Sequence, residues 1–251
     1  MNPIITIVTI VKDHVIGLRE TEESLFSQDF QNWQQVIVVG KSLDSTLLEA
    51  QAYSILDRRI KVIEQKEVGI YNAMNVGILE CTTEYVWFMN GGDKFFSNVS
   101  LEKGLSQIFG KNLSFIVGGY QIENGSKNFS QKAKLLSQLH FALNRKSGCH
   151  QSMIFRTEDL KKIGGYDQRW VFAADYDACL KLIKNSSARS INEILALIEP
   201  GGVTDQSLKK MHFEKQKIRD ELFAGRLLHL TASRLWFYLA LLNLGLKRRS
   251  G

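Results

Sequence analysis

Residues 84–96 read EYVWFMNGGDKFF, and the rest of the chain is organised around this stretch. Its apolar run, 85–89, is typical of a buried parallel strand, and the run stops at Asn-Gly-Gly-Asp, 90–93. In open α/β sheets, ligands bind outside the carboxyl ends of the strands, which is where Asp93 would lie. Taken alone, the stretch is equally consistent with an ordinary turn and with a functional loop, so the remaining sequence has to distinguish the two.

The sequence before this strand alternates between strand-like and helix-like segments. Apolar, largely β-branched runs at 4–11, 35–39 and 60–63 predict buried strands, and the amphipathic segments between them predict helices. Strands that alternate with helices indicate an α/β fold with a doubly wound, mostly parallel sheet. The segment contains neither GxGxxG nor GxxxxGK[ST], which argues against a dinucleotide-binding Rossmann site and against a P-loop.

The second half of the chain predicts a small antiparallel addition to this sheet, because Asn124-Gly125 has the sequence of a hairpin turn. Further strands are expected at 113–120, 151–155 and 191–198. Pro200-Gly201-Gly202 is the best boundary in the sequence. We therefore predict a domain at 1–200, whose first half is 1–95 and whose second half is 96–200, followed by a helical tail at 201–251.

Composition limits the possible partners. The 251 residues carry a formal net charge of +6, but residues 207–251 alone hold ten Lys or Arg against three Asp or Glu. The main domain therefore shows no nucleic-acid footprint. Three widely spaced cysteines without a CxxC pair indicate small core residues in a reducing compartment. The first residues resemble a strand and not a signal peptide, so we expect a cytoplasmic protein.

The basic tail predicts two helices. Residues 208–224 form a basic amphipathic pattern, and residues 227–246 contain an apolar run that is shorter than a membrane-spanning helix requires. Basic and aromatic residues together favour contact with an anionic membrane surface through residues 207–251, so we expect a peripheral membrane protein. The alternative is that these helices pack on the domain or on a second subunit, which would give a homodimer.

Three acidic residues follow predicted strands or begin a predicted helix, namely Asp44, Asp93 and Asp175. A lone carboxylate such as Asp93 can hold Mg²⁺ or Mn²⁺ when substrate phosphates supply the other ligands. A second carboxylate, such as Asp175, can deprotonate an incoming hydroxyl. Taken alone, however, Asp175 is explained as well by the preference of helix N-termini for acids.

A series of motifs gives residues 4–200 a resemblance to a known family. In chain order they are ITIVTIVKD, ESLFSQ, VIVVGKSLDST, EVGIYNAMNVGI, EYVWFMNGGDKF, CHQSMIF, GGYDQRW and AADYDACLKL. Together they resemble the family 2 glycosyltransferases, which have the GT-A fold, and most closely the colanic-acid-type branch found in bacterial surface-polysaccharide clusters. GIYNAMN and the later series HQ, GGYD and AADYD are the most specific of these matches.

This resemblance implies an inverting, metal-dependent transfer of a sugar from a nucleotide sugar, with a UDP-sugar expected, to a saccharide or lipid-linked saccharide. It implies that residues 1–95 are the nucleotide-binding half of the domain and residues 96–200 the acceptor half, and that the basic tail places the protein at the inner face of a bacterial membrane. It implies that Asp93 binds Mn²⁺ or Mg²⁺ and that Asp175 is the catalytic base. The residues expected to bind the nucleotide sugar are Thr9, Val11, Asp44, Gly69, Tyr71, Asn75, Asn90 and Gly92. Those expected to border the acceptor or the donor sugar are His150, Gln151, Gly165 and Tyr166, although His150 suits a packed position beside Cys149 equally well.

Three positions depart from the family pattern. Gly40 replaces the acid that usually reads the nucleobase, Asn72 replaces the usual aspartate of the GIYDAMN motif, and Asn90 leaves the metal motif with one carboxylate. The first two motivate an alternative, a degenerate GT-A domain that binds a nucleotide sugar or a partner protein without turnover. A nucleotidyltransferase fits less well, because the sequence has no Gly-rich basic phosphate loop near its start. We favour the enzyme because Asp93 and Asp175 are both present.

Overall fold

The structure is a computed structural model of the chain, and it describes residues 2–122, 128–129, 134–138, 148–201, 208–224, 231 and 234–235. The strands are β1 (Ile5–Val11), β2 (Trp33–Val39), β3 (Ile60–Glu64), β4 (Tyr85–Asn90), β5 (Lys94–Phe95), β6 (Phe115–Ile122), β7 (Asn128–Phe129), β8 (Lys134–Leu136), β9 (Met153–Arg156) and β10 (Ala188–Ile198). The helices are α1 (Val15–Phe26), α2 (Thr46–Leu56), α3 (Ile70–Glu80), α4 (Ser100–Ile108), α5 (Thr157–Lys162), α6 (Ala174–Asn185) and α7 (Leu208–Leu222). One turn of 3₁₀ helix spans His150–Ser152.

The strands form one mixed sheet in the order β3-β2-β1-β4-β9-β6-β10-β5. Strands β1 to β4 run parallel, whereas β9 runs antiparallel to both of its neighbours, β4 and β6. Strand β10 is parallel to β6. Because β9 reverses direction between β4 and β6, the carboxyl ends of β1, β2, β3, β4, β6 and β10 all lie at one edge of the sheet. The predicted mostly parallel sheet with a small antiparallel addition is confirmed.

The sheet is covered by helices on both faces. One buried cluster joins it to α3, α5, α6 and α7, and the other joins it to α1, α2 and α4. Successive residues of β1 point to opposite faces, so that Val8 belongs to the first cluster and Ile7 to the second. The opening strand, β4, is fully buried from Tyr85 to Met89, which explains its unbroken apolar sequence.

Helix α7 packs on this core, as in the alternative in which the tail helices pack on the domain. Ile218 and Phe223 are buried, and the fully buried Arg219 donates a hydrogen bond of 3.2 Å to the hydroxyl of Tyr176. The carboxylate of Glu214 accepts hydrogen bonds from the backbone N–H groups of Val171 and Phe172, at 3.0 and 2.8 Å. This amphipathic helix is therefore packed on α6 and on the segment that leads into it.

Two sequence predictions cannot be compared with the fold. The hairpin turn at Asn124-Gly125 and most of the second tail helix, 227–246, lie outside the described residues. Within the part of the chain that the structure describes, no helix is both long enough and apolar enough to cross a membrane.

Candidate active site

A cavity of about 1380 Å³ opens at the edge of the sheet where the parallel strands end. Residues at or directly after strand ends form much of its wall, among them His14 after β1, Gly40 after β2, Gln65 after β3, Asn90 at the end of β4 and Glu199 after β10. Parallel strands deliver such residues to one place. Small-molecule sites usually enclose about 300–1,000 Å³, so this cavity has room for two ligands side by side.

Asp175 lies at this cavity, in the first turn of α6, and accepts a hydrogen bond from a second cavity residue, Tyr71. The Tyr71 hydroxyl lies 3.1 Å from Asp175 Oδ1. Burial, followed by the negative charge of Asp175, raises the pKa of Tyr71 well above its usual value. The hydroxyl therefore remains a donor at neutral pH and fixes the carboxylate. Among the described residues, none donates to Asp175 Oδ2, which leaves that oxygen available to a ligand.

Asp93 is buried behind the cavity wall, with 4% of its surface exposed. Its Oδ2 accepts a hydrogen bond of 2.8 Å from Gln151 Nε2, and its Oδ1 accepts one of 3.0 Å from the backbone N–H of Glu199. Burial raises the pKa of Asp93 to about 7. In this arrangement the carboxylate joins the loop after β4 to Gln151 and to the end of β10, and it does not line the cavity.

The carboxylate that does reach the cavity next to this loop is Glu199. It pairs with His14, whose Nε2 lies 2.9 Å from Glu199 Oε2. A Cβ at Gly92, whose φ is +103°, would lie 2.1 Å from Glu199 Oε2, and a Cβ at Gly17 would lie 2.2 Å from His14 Nε2. Gly92 in the turn and Gly17 in α1 therefore allow another group to approach closely, and that group is the Glu199–His14 pair.

The residues around this loop provide only part of a site for a divalent cation. Mg²⁺ and Mn²⁺ prefer oxygen ligands. The Asn90 side-chain oxygen is buried without a hydrogen-bond partner, and Glu199 adds a half-exposed carboxylate beside Asp93. Within the described ranges, however, no group of three or more His, Cys, Asp or Glu is arranged to hold a metal ion. The set is chemically suited to a hard cation but needs ligand oxygens from a substrate to be complete.

Half of the residues that the sequence predicted for the site line the cavity, and half do not. Those that line it are Val11, Gly69, Tyr71, Asn90, His150, Gln151 and Asp175. Those that do not are Thr9, Asp44, Asn75, Gly92, Asp93, Gly165 and Tyr166. Each residue of the second group has a position or partner outside the cavity wall, and its role in ligand binding stays a prediction.

Thr9 and Asp44 have structural partners near the first two helices. The Thr9 side chain is fully buried, and its hydroxyl accepts a hydrogen bond of 2.9 Å from Gln35 Nε2. Asp44 is exposed, and its Oδ1 accepts a hydrogen bond of 2.9 Å from the backbone N–H of Thr46, at the start of α2. Neither Asp44 nor Asp93 is among the residues that line the cavity, and the Asp44 carboxylate binds the backbone at the start of α2.

Asn75, Gly165 and Tyr166 form a single structural unit behind the wall. The Asn75 side chain donates to the backbone oxygen of Tyr166 and accepts from its N–H, both at 2.8 Å. Gly165 has a φ of +72°, and a Cβ there would lie 2.4 Å from Asn75 Oδ1. The Tyr166 hydroxyl meets His150 Nε2 at 2.5 Å. These contacts hold the loop after α5 against α3.

The environment of His150 is that of a packed core residue more than that of a ligand-binding residue. It is 7% exposed, and its ring lies against Phe88 and Phe155. Burial lowers the pKa of His150 to about 4, so the imidazole is neutral at pH 7. Of the cysteines, Cys81 and Cys179 are buried as predicted, whereas Cys149 is half-buried at the cavity.

Several cavity residues were missed by sequence reasoning. Glu199 could have been found, because it directly follows a predicted strand just as Asp93 follows β4. Met211 and Lys215 carried no such signal, since a basic amphipathic helix is equally explained by a membrane surface. Nothing in the sequence around Phe172, which lies just before α6, indicates that it lines the cavity either.

Two solved structures illustrate the similarity in fold. The Staphylococcus aureus TarS fragment 1–349 in complex with UDP-GlcNAc superposes with a TM-score of 0.73 at 17% identity, over 88% of this chain and 67% of that one. The mannosyltransferase PcManGT from Pyrobaculum calidifontis, in complex with GDP-Man and Mn²⁺, gives 0.67 at 13% identity, over 100% of this chain and 81% of that one. The predicted GT-A fold is confirmed.

Relatives in sequence are also glycosyltransferases. The Escherichia coli protein WfgD, named UDP-Glc:alpha-D-GlcNAc-diphosphoundecaprenol beta-1,3-glucosyltransferase, is 24% identical over 171 residues, which are 67% of this chain and 65% of that protein. A PGL/p-HBAD biosynthesis glycosyltransferase of Mycobacterium tuberculosis is 26% identical over 192 residues, 75% of this chain and 74% of that protein. The family description Glycosyl transferase family 2 matches residues 6–177, more than half of the chain. The predicted family and enzyme class are thus confirmed, and the chain belongs to glycosyl transferase family 2.

Proposed function

We propose that this enzyme transfers a sugar from a UDP-sugar to a hydroxyl of a saccharide or lipid-linked saccharide, with inversion at the anomeric carbon, in bacterial surface polysaccharide synthesis. The observation that carries the proposal is the position of Asp175, whose carboxylate is fixed by Tyr71 at the cavity and keeps one oxygen available. WfgD, named for a UDP-Glc donor and a lipid diphosphate acceptor, and TarS, solved with UDP-GlcNAc, support this substrate class.

In the proposed reaction, the oxygen of the acceptor hydroxyl attacks the anomeric carbon, and Asp175 accepts the proton of that hydroxyl. The new glycosidic bond forms on the face opposite the breaking bond, and the bond electrons leave with the diphosphate of UDP. The Tyr71 hydrogen bond keeps Asp175 oriented during the attack. The proton remains on Asp175 until it is lost to solvent after the product leaves.

Asn72 fits an intact donor site in spite of its departure from the family. Its Oδ1 accepts a hydrogen bond of 3.0 Å from Gln65 Nε2, and its Nδ2 donates one of 3.1 Å to Glu67 Oε2. Gln65 and Glu67 both line the cavity. An aspartate at position 72 could not donate to Glu67, so asparagine suits this wall better than the usual acid.

A divalent cation, Mn²⁺ or Mg²⁺, would neutralise charge on the leaving diphosphate when it is bound. The residues that would hold it are Asn90 and Glu199 at the wall, with Asp93 behind them, and substrate oxygens would complete the set. We therefore expect metal affinity to be weak in the absence of nucleotide. Through its hydrogen bonds to the Gln151 side chain and the Glu199 backbone, Asp93 also fixes the positions of these two residues.

The proposed site of action is the inner membrane surface, where a lipid-linked acceptor would be presented. The basic tail supports this placement, because each Lys or Arg near an anionic leaflet contributes about 1 kcal/mol. In the alternative, the same tail pairs with that of a second subunit and forms a homodimer.

The test measures binding and transfer separately. UDP with Mn²⁺ is titrated calorimetrically into the wild type and into Asp175→Asn, and transfer from UDP-glucose or UDP-GlcNAc is assayed on a short-lipid GlcNAc diphosphate. We expect Asp175→Asn to bind UDP normally and to lose at least a thousandfold in turnover. Asp177→Asn, which alters an acid on the same helix that pairs with Lys181 at 2.6 Å, is the matched control and should retain most activity.

The alternative, a GT-A domain that binds without turnover, is motivated by Gly40, which lacks the acid that reads the base. It predicts that the wild type binds UDP but transfers no sugar to any acceptor tried. A wild type that binds no nucleotide sugar would overturn both functions. Equal turnover of the wild type and Asp175→Asn would overturn the assignment of the base.

A further inference from the structure

Lys215, on α7, lines the cavity together with Asp175, although the family match ends at residue 177. The helix is firmly placed. Glu214, the preceding residue, binds the backbone of Val171 and Phe172, just before α6, at 3.0 and 2.8 Å. One turn further on, Arg219 donates to Tyr176, the residue next to Asp175, at 3.2 Å. Lys215 is therefore held at a fixed position beside the proposed base.

The Lys215 ammonium has no anionic partner in the part of the chain that the structure describes. Its Nζ lies 5.0 Å from the centroid of the Tyr176 ring. Asp175 is close enough for its charge to act on Lys215, but no carboxylate of a described residue lies within ion-pair distance of the ammonium. Burial lowers the pKa of Lys215, which is the effect expected of a cation removed from water without a partner.

A half-buried cation without a counterion is unfavourable, and the cost is recovered when an anion enters the cavity. The three other lysines of the wall, Lys12, Lys41 and Lys66, lie after β1, β2 and β3, at the ends of the parallel strands. Lys215 is set apart from them, on the helix that packs against the base-bearing segment. The ligand that suits it is a phosphate that lies near the reacting sugar.

We propose that Lys215 binds a substrate phosphate in the cavity, so that α7 completes the active site. The inference rests on the proposed function and specifies a residue that the family match does not include. Two sources share this chemistry, namely the diphosphate of the nucleotide-sugar donor and the diphosphate of a lipid-linked saccharide acceptor. An ammonium group bound to a phosphate forms a charge-assisted hydrogen bond, which is stronger than a neutral one.

The experiment compares the full-length wild type with Lys215→Met, Lys215→Arg and the control Lys217→Met, which removes an exposed charge from the same helix. Methionine keeps an unbranched apolar chain against Tyr176, and arginine keeps the charge. Three probes are titrated into each protein: UDP, uridine, and GlcNAc diphosphate on a phenoxyundecyl chain. Thermal unfolding of each variant establishes that the fold is retained.

We expect Lys215→Met to bind one phosphate probe at least tenfold more weakly, with uridine binding unchanged. A loss for UDP identifies the donor diphosphate, and a loss for the GlcNAc diphosphate identifies the acceptor. Lys215→Arg should stay within about threefold of the wild type, and Lys217→Met should match it. The inference is overturned if Lys215→Met binds both phosphate probes as the wild type does, or if Lys217→Met weakens binding equally. If the wild type binds neither phosphate probe, the inference and the proposed function are overturned together. If the wild type binds UDP but neither probe is sensitive to position 215, this inference alone is removed.

Discussion

The Tyr71 hydroxyl donates a hydrogen bond of 3.1 Å to Oδ1 of Asp175, and this contact joins two motifs that are 104 residues apart in the sequence. Tyr71 belongs to GIYNAMN on α3, and Asp175 to AADYD on α6. The resemblance placed Tyr71 at the nucleotide. The geometry instead gives it a partner at the proposed base, so the most specific motif of the sequence supports proton transfer as well as donor binding.

Tyr71→Phe should lower kcat about tenfold and leave the affinity for UDP nearly unchanged. The phenyl ring keeps the contact with Tyr166, whose ring centroid lies 5.8 Å away, while the donor to Asp175 is lost. Hydrogen bonds to charged groups contribute about 1.5–3 kcal/mol, which sets the scale of the effect. Initial rates and calorimetric titration measure the two quantities. Tyr53→Phe, on α2, is the control, and a kcat equal to the wild type in Tyr71→Phe would contradict the role.

Glu22→Gln should remove much of the pH dependence of stability between pH 5 and 8. Glu22 is fully buried, its Oε1 accepts a hydrogen bond of 2.5 Å from Gln35, and burial raises its pKa to about 8 from 4.5. Since the folded-state pKa is the higher one, the folded protein binds the proton more tightly. The stability contribution is complete below pH 4.5 and is lost as the pH rises towards 8.

Urea unfolding at pH 5 and pH 8 measures this effect. Each pKa unit corresponds to about 1.4 kcal/mol, so the wild type should lose roughly a few kcal/mol more than Glu22→Gln over this range. Glu23→Gln, an exposed neighbour on α1, should behave as the wild type does. If Glu22→Gln and the wild type lose the same free energy of unfolding, Glu22 is not the group that titrates.

Sequence reasoning found the parallel half of the fold because it is built from local signals. Apolar runs such as 85–89 are buried on both faces, and each helix between them covers one face. It also recognised that the ends of these strands carry the site. What periodicity could not supply was the reversal of β9 between β4 and β6, which brings the end of β10 and Glu199 to the same edge.

The roles of individual side chains were less predictable, because a residue of a motif can bind other protein groups instead of facing the cavity. Asp93 is in the expected loop, yet its oxygens are used by Gln151 and by the N–H of Glu199, both distant in sequence. Asn75 is in the expected motif, but it binds the backbone of Tyr166. Such contacts are set by tertiary packing, which a spacing pattern does not contain.

Gly165→Ala should destabilise the protein clearly more than Gly164→Ala. Both glycines have positive φ, +83° at 164 and +72° at 165, so both alanines carry the strain of a left-handed conformation, about 1–2 kcal/mol. A Cβ at 164 meets no atom within 4 Å, whereas one at 165 would lie 2.4 Å from Asn75 Oδ1. Thermal unfolding compares the pair, and equal melting temperatures would show that the loop relaxes freely away from α3.

Removal of residues 225–251 should release the protein from anionic vesicles and leave the fold intact. The truncation keeps α7, whose Ile218 and Arg219 are buried, and removes the basic residues Arg226, Arg234 and 247–249. Co-sedimentation with vesicles of phosphatidylglycerol measures binding, and neutral phosphatidylcholine vesicles are the control. If the truncated and full-length proteins sediment equally, the tail does not provide the membrane contact.

Glu214→Ala should lower both the melting temperature and kcat, because Glu214 links α7 to the segment that leads into Asp175. Its carboxylate binds the N–H groups of Val171 and Phe172 at 3.0 and 2.8 Å, and alanine leaves both donors without this acceptor. The loss should be about 1–3 kcal/mol of unfolding free energy, since hydrogen bonds to a charged group are removed. Glu221→Ala, which removes an exposed acid of the same helix 3.7 Å from Arg169, is the control. Equal effects of the two substitutions would mean that α7 is held by its apolar face alone, and that Glu214 does not position the base.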